Sequence, residues 1–129
     1  MADFGGESGE IHFTIPFLPP SVNSIYQIIF SQRRVELKPD VRQFKTRCKE
    51  YIPRFNPNGK FVNCDFTFSY PHYYKNGNLR KFDTQNLMKV LCDAIAEKGG
   101  WDDSLIKSGS WKSIHSESKE QVEVEVRCE

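Results

Sequence analysis

No run of hydrophobic residues in this 129-residue chain approaches the roughly 20 needed to cross a bilayer as a helix. The opening MADFGGESGE is acidic and glycine-rich, unlike the basic start and apolar stretch of a secretory leader, so a soluble, cytoplasmic protein is expected. The four cysteines, Cys48, Cys64, Cys92 and Cys128, form no Cys-x-x-Cys pair, and no histidine stands at zinc-ligand spacing, which argues against structural zinc. Cys64 and Cys92 sit inside apolar patterns and read as small buried hydrophobes. His12, His72 and His115 are far apart in sequence and give no support to a histidine-centred catalyst. A P-loop and a glycine-rich dinucleotide turn are both missing, and no acidic-x-Lys triplet follows Asp83 in the position a restriction-type nuclease needs.

What remains is enough for one domain with a modest core: 38% of the residues are hydrophobic. The formal net charge is only +1, but it is unevenly spread. Between Ser31 and Lys60 nine basic residues face three acidic ones, whereas acidic residues gather from Asp93 to Asp103 and toward the C-terminus. A basic surface beside an acidic pocket suits a metal-dependent nuclease, which must attract phosphates and hold a cation. A solvated charged helix explains the basic stretch equally well.

Residues 1–10 hold almost nothing to bury and are expected to be a disordered lead-in to a single domain over 11–129. IHFTIPF alternates as a half-buried strand, followed by the loop PPSVNSIY. YQIIFS and RRVELK suggest a short hairpin. Pro39 suits a first helical turn, and DVRQFKTRCKEYI places Val41, Phe44, Cys48, Tyr51 and Ile52 on one helical face ending before Pro53. KFVNCDFTFSY alternates cleanly and reads as a central strand. A polar loop, HYYKNGNLRK, then delivers the chain to a helix over about 84–98, whose stripe is Leu87, Val90, Leu91, Ala94 and Ile95 and whose stop is Gly99-Gly100. Strands over about 105–115 and 120–127 complete an α+β fold, a mixed sheet flanked by two main helices.

The chemistry concentrates in FDTQNLMKVLCDAI and the WDDSLI that follows. Asp83, Asn86, Lys89 and Asp93 recur at helical spacing, and Asp102 and Asp103 come just after the glycine stop. Carboxylates hold a hard cation such as Mg²⁺, and an ammonium stabilises developing phosphoryl charge, so phosphodiester cleavage is the leading idea. Each residue singly has a plain alternative. Asp83 is placed as an N-cap, Lys89 and Asp93 as an i,i+4 surface pair, and Asp102-Asp103-Ser104 as a capping turn. Arg80 and Lys81 are placed to meet phosphates, and Phe82 or the Tyr73-Tyr74 pair to stack on exposed bases or simply to pack in the loop.

These segments together resemble the RusA-type crossover junction endodeoxyribonucleases. FDTQNLMKVLCDAI followed by GGWDDSLI resembles that family's signature, and PPSVNSIY, which contains Asn23, resembles its PPSxN segment. The order of elements agrees from about Ile11 to Arg127. The resemblance implies a small homodimeric nuclease, bacterial or phage-encoded, that resolves Holliday junctions by paired cuts with Mg²⁺, or Mn²⁺ in its place. It further implies Asp83 and Asp103 as metal ligands, Lys89 at the scissile phosphate, Asp93 in support, and Asn23 and Asn86 among the DNA contacts beside Arg80 and Lys81.

One position departs from the pattern. Where the family reads DxDN this chain reads DTQN, so Gln85 stands at the usual second carboxylate and offers an amide oxygen without charge. The implied activity is then attenuated, or absent in a protein that binds branched DNA without cutting it, unless Asp102 supplies the lost charge.

Overall fold

A computed structural model describes residues 9–18, 26–29, 34–80, 82 and 84–128. Most of the expected lead-in, the PPSVN segment with Asn23, and both Lys81 and Asp83 lie outside the described residues. Strand β1 (Glu10–Ile15) starts inside the expected lead-in, because Glu10 already pairs with Arg127. It ends at Ile15, since Pro16 has no N–H to give to a ladder. Strands β2 (Tyr26–Ile29) and β3 (Arg34–Leu37) pair antiparallel as a separate two-stranded sheet, the hairpin expected from the sequence.

Helix α1 (Pro39–Cys48) begins with its proline in the first turn, where a missing N–H costs nothing. It stops earlier than the apolar pattern suggests. The Tyr51 N–H donates to the Cys48 carbonyl at 2.9 Å, a tightened three-residue turn, and Pro53 disfavours helical backbone at Ile52. Ile52 is still buried, but Tyr51 is 43% exposed because it has left the helical face.

Strand β4 (Val62–Tyr70) is central, as its alternation indicates. With β5 (Ile106–His115) and β6 (Gln121–Cys128) it builds a four-stranded sheet in the order β1-β6-β4-β5. β6 pairs antiparallel with both β1 and β4, whereas β4 and β5 run parallel. A parallel pair needs a long crossover, and α2 (Thr84–Gly99) supplies it. One face of the sheet is apolar: Ile11 and Ile15, Cys64, Phe66 and Phe68, and Val122, Val124 and Val126 sit on matching registers. Leu87, Val90, Leu91, Ala94 and Ile95 of α2 and Val41, Phe44 and Cys48 of α1 complete that core. Burying each of the larger aliphatic side chains stabilises the fold by about 1.5–3 kcal/mol.

The opposite face of the sheet is polar. Asn63 is buried there only because its amide donates to Asp65 at 2.9 Å and its oxygen accepts from the Ser108 hydroxyl at 2.7 Å. All four cysteines are free thiols. Cys64 is buried as expected, while Cys92 is half-exposed and lies beside it. Among the described residues, no helix is long and apolar enough to cross a membrane.

Candidate active site

The site is built at the C-terminal half of α2. Gly100 (φ 78°) ends the helix, its N–H donating to the Ala96 carbonyl at 2.9 Å while the Trp101 N–H reaches the same oxygen at 3.0 Å. Trp101 is then locked by its indole N–H, which donates to the Phe55 carbonyl at 2.6 Å. Gly99 has to be a glycine for this to happen, because a Cβ there would lie 2.3 Å from the indole nitrogen and 2.4 Å from that carbonyl. Fixing Trp101 fixes the acidic residues that follow it. Asp102 caps a single 3₁₀ turn (Asp103–Leu105), accepting from the Ser104 N–H at 2.8 Å, so the capping reading of Asp102 is realised.

Asp103 turns toward α2 and hydrogen-bonds Asp93. Two carboxyl groups can do this only by sharing a proton. Partial burial, the bond to Asp103 and the negative charge of Glu97 push the Asp93 carboxyl up to about 6, against the opposing charge of Lys45. Asp102 goes the other way: the Ser104 backbone and side chain, followed by Asp103, hold it below the usual carboxylate range. The result is a cleft of about 310 Å³ lined by Asp93, Ala96, Glu97, Trp101, Asp102 and Asp103.

Glu97 borders the cleft and ties it to α1. One carboxylate oxygen pairs with Lys45 and the other accepts from Lys49 at 2.6 Å, while the Lys98 ammonium donates to the Lys49 carbonyl at 2.8 Å. Burial alone would raise the Glu97 carboxyl, but its two lysine partners outweigh that and hold it low. Part of the basic stretch on α1 is thus matched by α2. Glu97 is not among the residues singled out by the motif, although it stands four residues after Asp93 and so on the same helical face. Lys45 carried no signal, since its partner is 52 residues away.

The structure therefore brings together Asp93, Asp102 and Asp103. Gln85, exposed, and Asn86, half-buried, lie on the first turn of α2, with the exposed Lys89 one turn on. Thr84, the first residue of α2, and Asp93 are separated by about 14 Å of helix rise. Arg80 is not an open phosphate contact. Its guanidinium lies 5.6 Å from the Phe82 ring centroid and 5.8 Å from that of Tyr70, pairs with Glu120 at 3.4 Å, and leaves the side chain 15% exposed. Elsewhere, Glu10, His12 and Glu125 bring ligand-type atoms within 4.8 Å of one another on the polar sheet face, a grouping made by strand register and invisible in sequence spacing.

Asp93, Glu97, Asp102 and Asp103 thus put four carboxyl groups around one small cleft, a setting that favours cations over anions. No curated protein matches the chain. The family model for endodeoxyribonuclease RusA, however, matches residues 16–127, which takes in both helices, the central strand and the acidic turn. This chain belongs to the RusA endodeoxyribonuclease family.

Proposed function

We propose that the protein is a Mg²⁺-dependent endonuclease that resolves four-way DNA junctions by paired hydrolysis. The observation that carries this reading is the Asp93–Asp103 contact in a cleft bordered by Glu97 and Asp102. The donor set suits Mg²⁺: the oxygens are hard and the cleft has room for retained waters. Asp103 is the proposed holding carboxylate, with Asp93 in support beside it and Asp83 the further ligand that the family pattern suggests. When bound, the cation lowers the pKa of a water and offsets charge on the phosphate oxygens.

Hydrolysis needs no covalent nucleophile. Water adds to phosphorus, a bridging P–O bond breaks, and the ends separate as a phosphate and a hydroxyl. In this reading Lys89 places its ammonium against the non-bridging oxygens, where negative charge grows in the transition state. Asp102, engaged with the Ser104 backbone, is a weak replacement for the carboxylate missing at Gln85, and Asp93 lies about 12 Å of helix rise further along α2. Two cuts need two sites, so the working form is a symmetric dimer.

A synthetic four-way junction incubated with Mg²⁺ or Mn²⁺ gives symmetric nicks, and Asp103→Asn and Asp83→Asn each lower the rate at least about a hundredfold. Unchanged cutting by Asp103→Asn overturns the assignment. The second reading, a protein that grips branched DNA without cutting it, is favoured by the neutral Gln85. It requires salt-sensitive binding with no nicks at any divalent ion concentration.

A further inference from the structure

The loop between β4 and α2 builds a second cleft, of about 720 Å³, ahead of the motif helix. Its tip is held rigidly. The Tyr74 N–H donates to the Asn78 carbonyl at 2.8 Å, the Gly77 N–H returns to Tyr74 at 2.9 Å, and the Arg80 N–H donates to His72 at 2.7 Å. Gly77, at φ 86°, makes the tight reversal possible, and Tyr73 bridges to Leu79. Despite this order the two tyrosine rings are left 55% and 56% exposed. Tyr73 meets His115 in an edge-type contact, at 5.7 Å between centroids. Aromatic area held out in water on a braced turn is costly to keep unless something covers it.

Charge decides what that is. Lys75 and Arg80 on the cleft wall are balanced by Glu117 and Glu120, and Arg80 is already paired with Glu120 at 3.4 Å. A balanced cleft does not draw in a phosphate. It suits a neutral, flat group with a π-face for the tyrosines and N–H donors at its edge for the glutamates, and an unpaired nucleobase carries both.

We propose that this cleft receives one unpaired nucleobase beside a DNA branch point, stacked on the Tyr73-Tyr74 tip and held at its edge by Glu117 or Glu120. The proposal rests on the junction reading above and adds how the protein selects a branch over continuous duplex. In linear duplex every base is paired and stacked, so the cleft stays empty; at a branch a base is cheap to displace. Because the tip is already ordered, little loop entropy is lost on binding.

The test uses a four-way junction with 2-aminopurine placed in turn at each position flanking the branch, bound in Ca²⁺ to hold cutting apart from binding. At one position, emission changes when the wild-type protein binds, as the base leaves the helical stack. The Tyr73→Ala/Tyr74→Ala double variant loses that response and binds the junction about 5- to 100-fold more weakly, while Tyr73→Phe/Tyr74→Phe keeps both. A junction lacking the base at that position binds wild type and the Ala variant equally. Thermal melts of both variants match wild type, because the rings lie outside the core. Unchanged emission at every position, or full affinity in the Ala variant, overturns the proposal. Nicking of unlabelled junction in Mg²⁺ is scored separately. Nicks without an emission response remove the base cleft and leave the nuclease; a response without nicks does the reverse.

Discussion

The Asp93 and Asp103 carboxyls, one on the inner half of α2 and the other in the 3₁₀ turn after it, are hydrogen-bonded to each other. Their contact creates a liability that either a proton or a cation removes. Asp93 is raised from 3.8 to about 6, so its contribution to stability is present below pH 4 and lost as pH rises through 6. Asp93→Asn removes the repulsion. At pH 7 it should melt above wild type by about 4 °C, reflecting about 1 kcal/mol once solvent screening is allowed for, and the difference should vanish near pH 4. Scanning calorimetry of both proteins across that range is the check.

Mg²⁺ should act on the same pair. Adding it at pH 6 raises the melting temperature of wild type and releases protons, measurable by titration in buffers of different ionisation heat, because the ion displaces the proton that Asp93 partly holds there. Asp93→Asn and Asp103→Asn should lose most of the shift. Equal stabilisation of all three proteins would move the cation elsewhere.

Gln85→Asp restores a negative charge at the start of α2. It should raise the junction-cutting rate by about tenfold or more and lower the Mg²⁺ concentration needed, since a carboxylate binds the ion better than an amide does. A rate unchanged from wild type over a divalent-ion titration would show that the position is silent.

Glu97 joins two lysines of α1 to α2, and its carboxyl is held low, so its stabilisation is present above about pH 4.5 and lost as pH falls. Glu97→Gln should cost about 0.5–1.5 kcal/mol in urea denaturation at low salt and less at high salt. The double variant with Lys45→Met should cost less than the sum of the single changes, as expected for a direct pair.

Gly99→Ala should damage the site through its scaffold. The added Cβ collides with the Trp101 indole and the Phe55 carbonyl, so the bond that holds the acidic turn breaks. A loss of about 2–3 kcal/mol is expected, with weakened Mg²⁺ binding even below the unfolding transition. Calorimetry with and without Mg²⁺ separates the two effects.

The local pattern of the chain is largely readable. The alternation in KFVNCDFTFSY, the apolar stripe of α2 with its glycine stop, and the valines of β6 each fix an element and its buried face. The end of α1 is not readable, because Tyr51 and Ile52 fit the helical period and only the tightened turn before Pro53 decides against it. Parallel pairing of β4 with β5 also has no local signature. The partner of Asp103 depends on where Trp101 is anchored, and that anchor is a backbone oxygen at Phe55, contributed by a distant loop. Arg80 reads as a free cation, yet its surroundings of Tyr70, Phe82 and Glu120 come from three separate segments.

Because β5 pairs parallel to β4, the chain must travel the full length of α2 and make its acidic turn before the sheet's last strand can zip into place. The acidic turn therefore sits inside the crossover that joins the two parallel strands, and an unfolded chain offers a divalent ion little more than scattered carboxylates. With a cation held there as proposed, its concentration would set how much of the protein is assembled as well as how fast any assembled copy works.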